Sequence, residues 1–175
     1  MSLALSGLAL SGLPPLVSPQ IRLLILGSFP SAMSLKTQQY YGNPRNQFWP
    51  LLQAILPPRP IDMLASSYQS RSNWLLSQRL GLWDVYASCE RVGSLDSNIQ
   101  HAVANDVPRL LQSYPDLQAI AFNGSESFKL AKHLGAIKLP LHRLPSSSPA
   151  NAAWSFERKL AAWREVFNAH ALITD

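Results

Sequence analysis

The chain has 175 residues, of which 47% are hydrophobic and 14% charged, and its formal net charge is +5 at pH 7. This composition fits one compact domain over residues 1–175 and excludes an intrinsically disordered chain. The single cysteine, Cys89, excludes an intrachain disulfide framework, a cysteine-ligated zinc site and a cysteine-ligated iron–sulfur cluster. The basic balance suits a polyanionic partner such as nucleic acid, although a mildly basic enzyme would have the same charge.

The first segment, residues 1–19, contains no lysine or arginine. A secretory signal needs a basic segment before its apolar core, and here Pro14 and Pro15 also interrupt the apolar run. That run is too short to span a membrane. We interpret residues 1–19 as an N-terminal arm, partly ordered against the domain, of a cytoplasmic protein that has no membrane partner.

The next segment, Ile21–Leu56, carries the clearest local signals. Its short apolar run, Ile21 and Leu23–Leu26, predicts a central strand covered on both faces, and Gly27–Pro30 ends that strand with turn residues. After a long polar loop, Asn43 and Pro44 predict the N-cap and first residue of a helix. Helical spacing would direct the apolar residues of this helix to the core: Phe48, Trp49, Leu52, Ile55 and Leu56.

The remainder of the chain alternates between predicted helices and strands. Residues 57–60 form a rigid proline connector. Four helices are predicted after it, at 66–80, 106–111, 125–134 and 156–167. Gly81 ends the first, Asp106 is the N-cap of the second, and Ser125 caps and Gly135 ends the third. Strands are predicted at 82–86, 119–122 and 137–144, where Pro140 indicates an edge strand or a bulge. The polar segment 89–98 is predicted to be a surface loop.

This alternation predicts a three-layer α/β/α sandwich with a four-stranded, mainly parallel sheet. In such sheets ligands bind at the carboxyl ends of the strands. Polar features follow each predicted strand and would converge at that edge: residues 28–46, Asp84, Asn123-Gly124 and residues 146–151.

Several familiar motifs are missing from the sequence. It has neither GxxxxGK[ST] nor GxGxxG, no HExxH or other metal-ligand spacing, and no GxSxG. Nucleoside triphosphate hydrolysis, dinucleotide redox chemistry, zinc chemistry and α/β-hydrolase chemistry therefore lose support. We expect neither a metal nor a cofactor.

Three segments resemble the signature blocks of the hypoxanthine-DNA glycosylases, a family of the uracil-DNA glycosylase superfamily: GSFPSAMSLKTQQYYGNPRNQFW, GLWDVYASCERVGSLDS and LPSSSPANA. They follow the family's order and spacing, over roughly Leu13–Phe167. The resemblance implies a single uracil-DNA-glycosylase-like domain with a base pocket at the strand ends. It also implies hydrolysis of the N-glycosidic bond of a deaminated base in DNA, hypoxanthine or else uracil, which would initiate base excision repair without a metal or cofactor. The expected partner is damaged DNA, bound by a monomer.

Asn46 and Asp84 are the catalytic candidates. Asn46 would lie in the first helical turn, where unpaired N–H groups concentrate, and could orient water or stabilise a departing base anion. Its alternative role is a local capping contact. Asp84, the one carboxylate in a predicted strand, could accept a base N–H or stabilise the sugar cation, or else satisfy backbone groups at the strand end. Asp84 departs from the pattern of the superfamily that the chain resembles, since the superfamily often has a base-reading amide at this position.

A flipped base needs hydrogen bonds and stacking partners. Ser28, Phe29, Tyr41 and Asn123 are the predicted base-binding residues, with Tyr40 as a further candidate for the stacking wall, although each aromatic ring could simply pack in the core. The predicted DNA-binding residues are Arg45, Ser147, Ser148 and Asn151. Arg45 could bind phosphate or pair with an acid, and the serines could form an ordinary turn.

The resemblance is incomplete at three positions. Phe29 stands near the place where many superfamily members carry an acidic or amide residue, serine replaces the histidine of the classical uracil enzymes, and Ala150 offers no large apolar wedge. Two alternatives therefore stay open: a non-catalytic nucleic-acid-binding module on the same fold, and a nucleoside hydrolase. Within the polar part of the three segments the only lysine is Lys36, so a Schiff-base lyase step is not expected and the enzyme would be monofunctional.

Overall fold

A four-stranded parallel sheet lies at the centre of the computed structural model, which describes residues 8–57, 62–63, 65–134, 136–170 and 172. The spatial order of its strands is β3-β2-β6-β7. A second, antiparallel sheet has the order β1-β4-β5. The strands are β1 Leu10–Ser11, β2 Leu23–Gly27, β3 Leu80–Asp84, β4 Tyr86–Glu90, β5 Gln100–Ala104, β6 Ala119–Asn123 and β7 Leu141–Leu144.

Helices cover both faces of the parallel sheet. They are α1 Ala32–Thr37, α2 Phe48–Ile55, α3 Tyr68–Ser77, α4 Val107–Leu111, α5 Ser125–Phe128 and α6 Phe156–Ala169, with 3-10 turns at Asp96–Asn98 and Lys129–His133. Leu23 and Ile25 of β2 pack against α2, α3 and α6, whereas Leu24 and Leu26 pack on the opposite face with α4 and α5. This arrangement confirms the predicted three-layer sandwich and its parallel sheet.

The strand predictions hold at the centre and fail at one flank. β2 and β6 are buried along their whole length, as their apolar runs predict, and β7 begins after Pro140 at the edge of the sheet. The surface loop predicted at 89–98 is wrong in its first part, because Cys89 and Glu90 belong to β4. Sequence patterns do not predict β4, since it pairs with the two-residue β1 and with β5, whose residues are all exposed.

The predicted start of α2 is also wrong, because the helix begins at Phe48 rather than Pro44. Asn43 accepts a hydrogen bond from the backbone N–H of Arg45 (3.0 Å), and Asn46 accepts one from that of Phe48 (2.9 Å). Each asparagine therefore closes a turn in its own backbone instead of capping a helix. The N–H of Gln47, the N-cap, donates to the carbonyl of Ser147 at 3.0 Å, so a tertiary contact fixes where the helix starts.

Two further helix ends differ from prediction. After α3 the left-handed residue is Arg79 (φ 61°), and Gly81 lies inside β3, where a Cβ would come within 3.1 Å of side-chain atoms of Val17 and Ile21. Gly124 (φ 105°), not Ser125, caps α5, which gives way to a 3-10 turn at Lys129.

Other local features follow the sequence signals. Asp106 caps α4 by accepting the N–H of Arg109 at 3.1 Å, as predicted. The prediction for Gly135 and most of the proline connector, residues 58–60, lie outside the described residues. Among the helices that the structure describes, none combines the length and apolar character needed to cross a membrane.

Phe48 joins the main core to the loop before α2. Its ring stacks on Tyr41 at a centroid distance of 3.9 Å and meets the edge of Trp163 at 5.9 Å, and its side chain is fully buried. We predict that Phe48→Ala lowers the free energy of unfolding by about 3–5 kcal/mol in urea titrations, because it leaves a cavity. Val103→Ala, on the exposed face of β5, is the control and should change it by less than about 0.5 kcal/mol. A loss below about 1 kcal/mol for Phe48→Ala would contradict this packing role.

Candidate active site

A cavity of about 830 Å³ opens at the carboxyl ends of the parallel strands. Its floor and walls come from the ends of β2, β3, β6 and β7 and from the loops that follow them. The α1–α2 loop and the loop between β4 and β5 complete the rim. The cavity therefore occupies the place where open α/β sheets bind ligands.

The structure brings together all the predicted site residues except one. Ser28, Phe29, Tyr41, Asn46, Asp84, Asn123, Ser147, Ser148 and Asn151 line the cavity. Arg45 is exposed in the turn before α2 and is not part of the lining.

Asn123 holds two walls of the cavity together. Its Nδ2 donates to the hydroxyl of Tyr41 at 3.1 Å and to Oγ of Ser147 at 2.9 Å, and its Oδ1 accepts the N–H of Ser147 at 2.9 Å. Both amide hydrogens are thus committed to protein partners. In this arrangement Asn123 positions Tyr41 and Ser147, and reading a base with Nδ2 would require breaking one of these bonds.

Ser147 extends this network to α6. The residue is fully buried, so its hydroxyl faces Asn123 and not solvent. Its carbonyl accepts the N–H of Gln47, whose Oε1 in turn accepts a 2.8 Å hydrogen bond from Nζ of Lys159. Lys159 is itself buried, and this desolvation lowers the pKa of its ammonium group. Trp163 adds a second tie from α6 by donating to the carbonyl of Pro145 at 2.9 Å.

Tyr41 adopts a left-handed backbone conformation (φ 53°), which is uncommon for a residue with a bulky side chain. Its ring is stacked on Phe48, so one face is covered, and its hydroxyl accepts the hydrogen bond from Asn123. Burial and the nearby charge of Asp84 raise the pKa of Tyr41, so the phenol stays protonated at neutral pH.

Asp84 lies at the end of β3 with only 5% of its surface exposed. Its Oδ2 is buried and has no hydrogen-bond partner within the described part of the chain. Gly27 makes room for the carboxylate, because a Cβ there would lie 2.5 Å from Oδ1 of Asp84. Burial raises the pKa of Asp84 from 3.8 to about 7, with Asp96 adding to the rise and Arg91 opposing it. The group can therefore take up or release a proton near neutral pH.

Asn46 lies just before α2, so its predicted place in the first helical turn is wrong. The Oδ1 of Asn46 is used by the N–H of Phe48. The Nδ2 makes no hydrogen bond to any residue that the structure describes, so Asn46 brings an unused donor to the cavity lining.

The other predicted aromatic residues are mainly structural. Phe29 is 6% exposed and lies under the guanidinium of Arg91, 5.2 Å from the ring centroid. Tyr40 is buried, and its hydroxyl donates to the carbonyl of Pro14 at 2.8 Å, which fastens the N-terminal arm. All three rings still line the cavity, so the stacking wall stays a prediction, in which Phe29 and Tyr40 also have structural contacts.

The remaining predicted residues of the cavity lining hydrogen-bond to other parts of the protein. Ser28 donates through Oγ to Oδ1 of Asp96 at 2.7 Å. Ser148 accepts the N–H of Ala150 at 3.2 Å, and Asn151 donates to the carbonyl of Ser146 at 3.1 Å. The two hydrogen bonds made by Ser148 and Asn151 give the 146–151 loop a fixed shape at the cavity rim.

Sequence reasoning missed four charged residues of the cavity lining: Asp96, Glu126, Lys129 and Arg143. Glu126 accepts from the hydroxyl of Tyr86 at 3.0 Å and pairs with Lys129 at 2.5 Å, and Arg143 donates to Ser125 at 2.7 Å. Asp96 lies in the second signature-like segment, which was a usable signal. The other three follow β6 or lie in β7, and local patterns do not show that they meet. No group of three or more His, Cys, Asp or Glu side chains within the described ranges could hold a metal ion.

Comparisons with known proteins agree with this geometry. The family model of the Uracil DNA glycosylase superfamily matches residues 14–171. Two curated proteins named Hypoxanthine DNA glycosylase are similar over 89% of this chain and 96% of their own length, one from Methanosarcina acetivorans at 38% identity and one from Methanosarcina barkeri at 35%. The solution NMR structure of a candidate uracil DNA glycosylase from Methanosarcina acetivorans superposes with a TM-score of 0.81 at 35% identity, over 94% of this chain and 99% of that chain.

The sheet, the cavity at its strand ends and these matches define a DNA glycosylase, an enzyme that hydrolyses the bond between a base and its sugar. The chain belongs to the uracil DNA glycosylase superfamily.

The buried carboxyl of Asp84 predicts a pH-dependent stability. Because its pKa is higher in the folded state, the folded protein binds a proton more tightly than the unfolded chain between pH 3.8 and about 7. Stability is therefore lost as pH rises through this window, by up to about 1.4 kcal/mol per pH unit, and levels off above it. From pH 5 to pH 8 the wild type should lose about 2–3 kcal/mol relative to Asp84→Asn in urea titrations. If the free energies of unfolding of the two proteins changed in parallel with pH, the pKa of Asp84 would not be raised.

Proposed function

We propose that the protein is a monofunctional DNA glycosylase that removes hypoxanthine from deoxyinosine sites in DNA and thereby initiates base excision repair. One observation carries the proposal: Asp84 and Asn46 both line the cavity, and neither Oδ2 of Asp84 nor Nδ2 of Asn46 has a hydrogen-bond partner among the residues that the structure describes. Two relatives over most of the chain are named for hypoxanthine, which supports that base as the substrate.

In the proposed reaction the bond between C1′ and the base nitrogen breaks first, and its electron pair leaves with the base. This produces an oxocarbenium-like sugar and an anionic base, so catalysis depends on placing opposite charges and dipoles beside them. The Nδ2 of Asn46 donates to the departing base, where negative charge develops. The carboxylate of Asp84 stabilises the sugar cation and accepts a proton from the water that adds to C1′, and the base regains a proton from Asp84 or from solvent.

The raised pKa of Asp84 fits this role. A general base is most effective when its pKa lies near the working pH, and burial brings the pKa of Asp84 to about 7. Both the ionised and the protonated form of Asp84 are thus accessible in the neutral range. Gly27 contributes by leaving the space that the carboxylate occupies.

The proposed substrate is tested with end-labelled duplexes that carry one deoxyinosine, uracil, xanthine or mismatched thymine, followed by alkali to cleave abasic sites. We predict cleavage of the deoxyinosine duplex and no hydrolysis of free inosine. Binding of the deoxyinosine duplex without base release would favour a non-catalytic binding module. Hydrolysis of free inosine alone would make the protein a nucleoside hydrolase.

The donor role of Asn46 is tested by two substitutions. Asn46→Ala removes both the donor and the acceptor of the side chain, whereas Asn46→Asp keeps the acceptor for the N–H of Phe48 and removes the Nδ2 donor. Both should lower the single-turnover rate of deoxyinosine excision by about 100- to 1000-fold. Only Asn46→Ala should lose stability, by about 1 kcal/mol, because it alone lacks the turn hydrogen bond. Excision by Asn46→Asp at a rate close to wild type would remove Asn46 from the catalytic groups.

A further inference from the structure

A base that enters the cavity leaves a gap in the DNA stack, and proteins often fill such gaps with an apolar side chain. Among the described residues, five large hydrophobic side chains are exposed: Leu8, Met33, Val92, Leu95 and Val103. Of these, only Leu95 also lines the cavity, and 51% of it remains exposed. Val92, which is 82% exposed, lies in the same loop.

Among the described residues of the opposite rim, none has a comparable side chain. Ala150 occupies the 146–151 loop and is too small to fill the space of a base. Trp154 also lines the cavity, but the guanidinium of Arg158 lies 3.8 Å from the centroid of its ring and covers it. The free apolar side chain at the cavity mouth is therefore on the β4–β5 loop.

Hydrogen bonds hold the β4–β5 loop against the cavity floor and the start of α1. Asp96, next to Leu95, accepts from the hydroxyl of Ser28 at 2.7 Å, and Ser94 accepts the N–H of Ala32 at 3.0 Å. The buried Arg91 donates to the carbonyls of Pro30 and Gly93, the latter at 3.0 Å. Since both neighbours of Leu95 are fixed, little backbone conformational entropy remains to be lost when its side chain meets DNA.

We propose that Leu95 is the wedge that enters the duplex and occupies the place of the flipped nucleotide, with Val92 contacting the stack beside it. The proposal rests on the proposed excision of a base from duplex DNA. It assigns duplex penetration to the β4–β5 loop and not to the 146–151 loop. Asp96 then has a positioning role, because its bond to Ser28 sets the distance between Leu95 and the cavity floor.

The test compares single-turnover excision from a duplex with excision from a single strand, since only the duplex has to be opened. Leu95→Ala should slow excision from a deoxyinosine duplex by about 10- to 100-fold and from the single strand by no more than about 3-fold. Leu95→Met should retain most of the duplex activity, because it keeps a large apolar side chain. Val103→Ala is the matched control, an exposed apolar residue away from the cavity, and should leave both rates unchanged.

A second readout follows the opening step itself. With 2-aminopurine beside the deoxyinosine, binding of wild type and of Leu95→Met should raise the fluorescence, because the neighbouring base is unstacked, and Leu95→Ala should lose most of that rise. Equal losses of activity on duplex and single strand, or no loss on either, would overturn the wedge while leaving the proposed function intact. Failure of the wild type to release hypoxanthine from either substrate would overturn both proposals.

Discussion

The three hydrogen bonds of the Asn123 side chain are the constraint on which the site depends. They join the end of β6 to Tyr41 on one side and to Ser147 on the other. Through Ser147 and Gln47 they continue to Lys159, so a helix on the outside of the sandwich fixes the start of α2. Because every member of this network has at least one hydrogen-bond partner, the network favours one arrangement of the loops at the strand ends.

That rigidity allows Asp84 to remain in an unfavourable place. A carboxylate that is 5% exposed, with one oxygen that no described residue hydrogen-bonds, costs the fold stability whenever it is ionised. Oδ1 of Asp84 and the hydroxyl of Tyr41 both lie beside Gly27, and the hydrogen bonds of Asn123 hold the Tyr41 and Ser147 loops in place around them. The same burial brings its pKa to about 7, which suits proton transfer at neutral pH.

The layers of the fold and the location of the cavity could be predicted from the sequence, because β2 and β6 are continuous apolar runs followed by polar residues. Finer features depend on partners that lie far along the chain. Asn43 and Asn46 both have the chemistry of an N-cap, and it is the distant carbonyl of Ser147 that places the helix start at Phe48. From the sequence, Asp96 is only part of a polar loop. In the structure, its hydrogen bond from the hydroxyl of Ser28 holds it at the cavity.

The most direct test of the central claim is a crystal structure of the wild-type protein with a duplex that carries 2′-fluoro-2′-deoxyinosine. Fluorine at C2′ destabilises the sugar cation, so the bond should survive while the nucleotide is bound. We predict a flipped hypoxanthine in the cavity, with an acceptor of the base within hydrogen-bond distance of Nδ2 of Asn46 and C1′ on the side of Asp84. A base that stays stacked in the duplex, or binds outside the cavity, would contradict it.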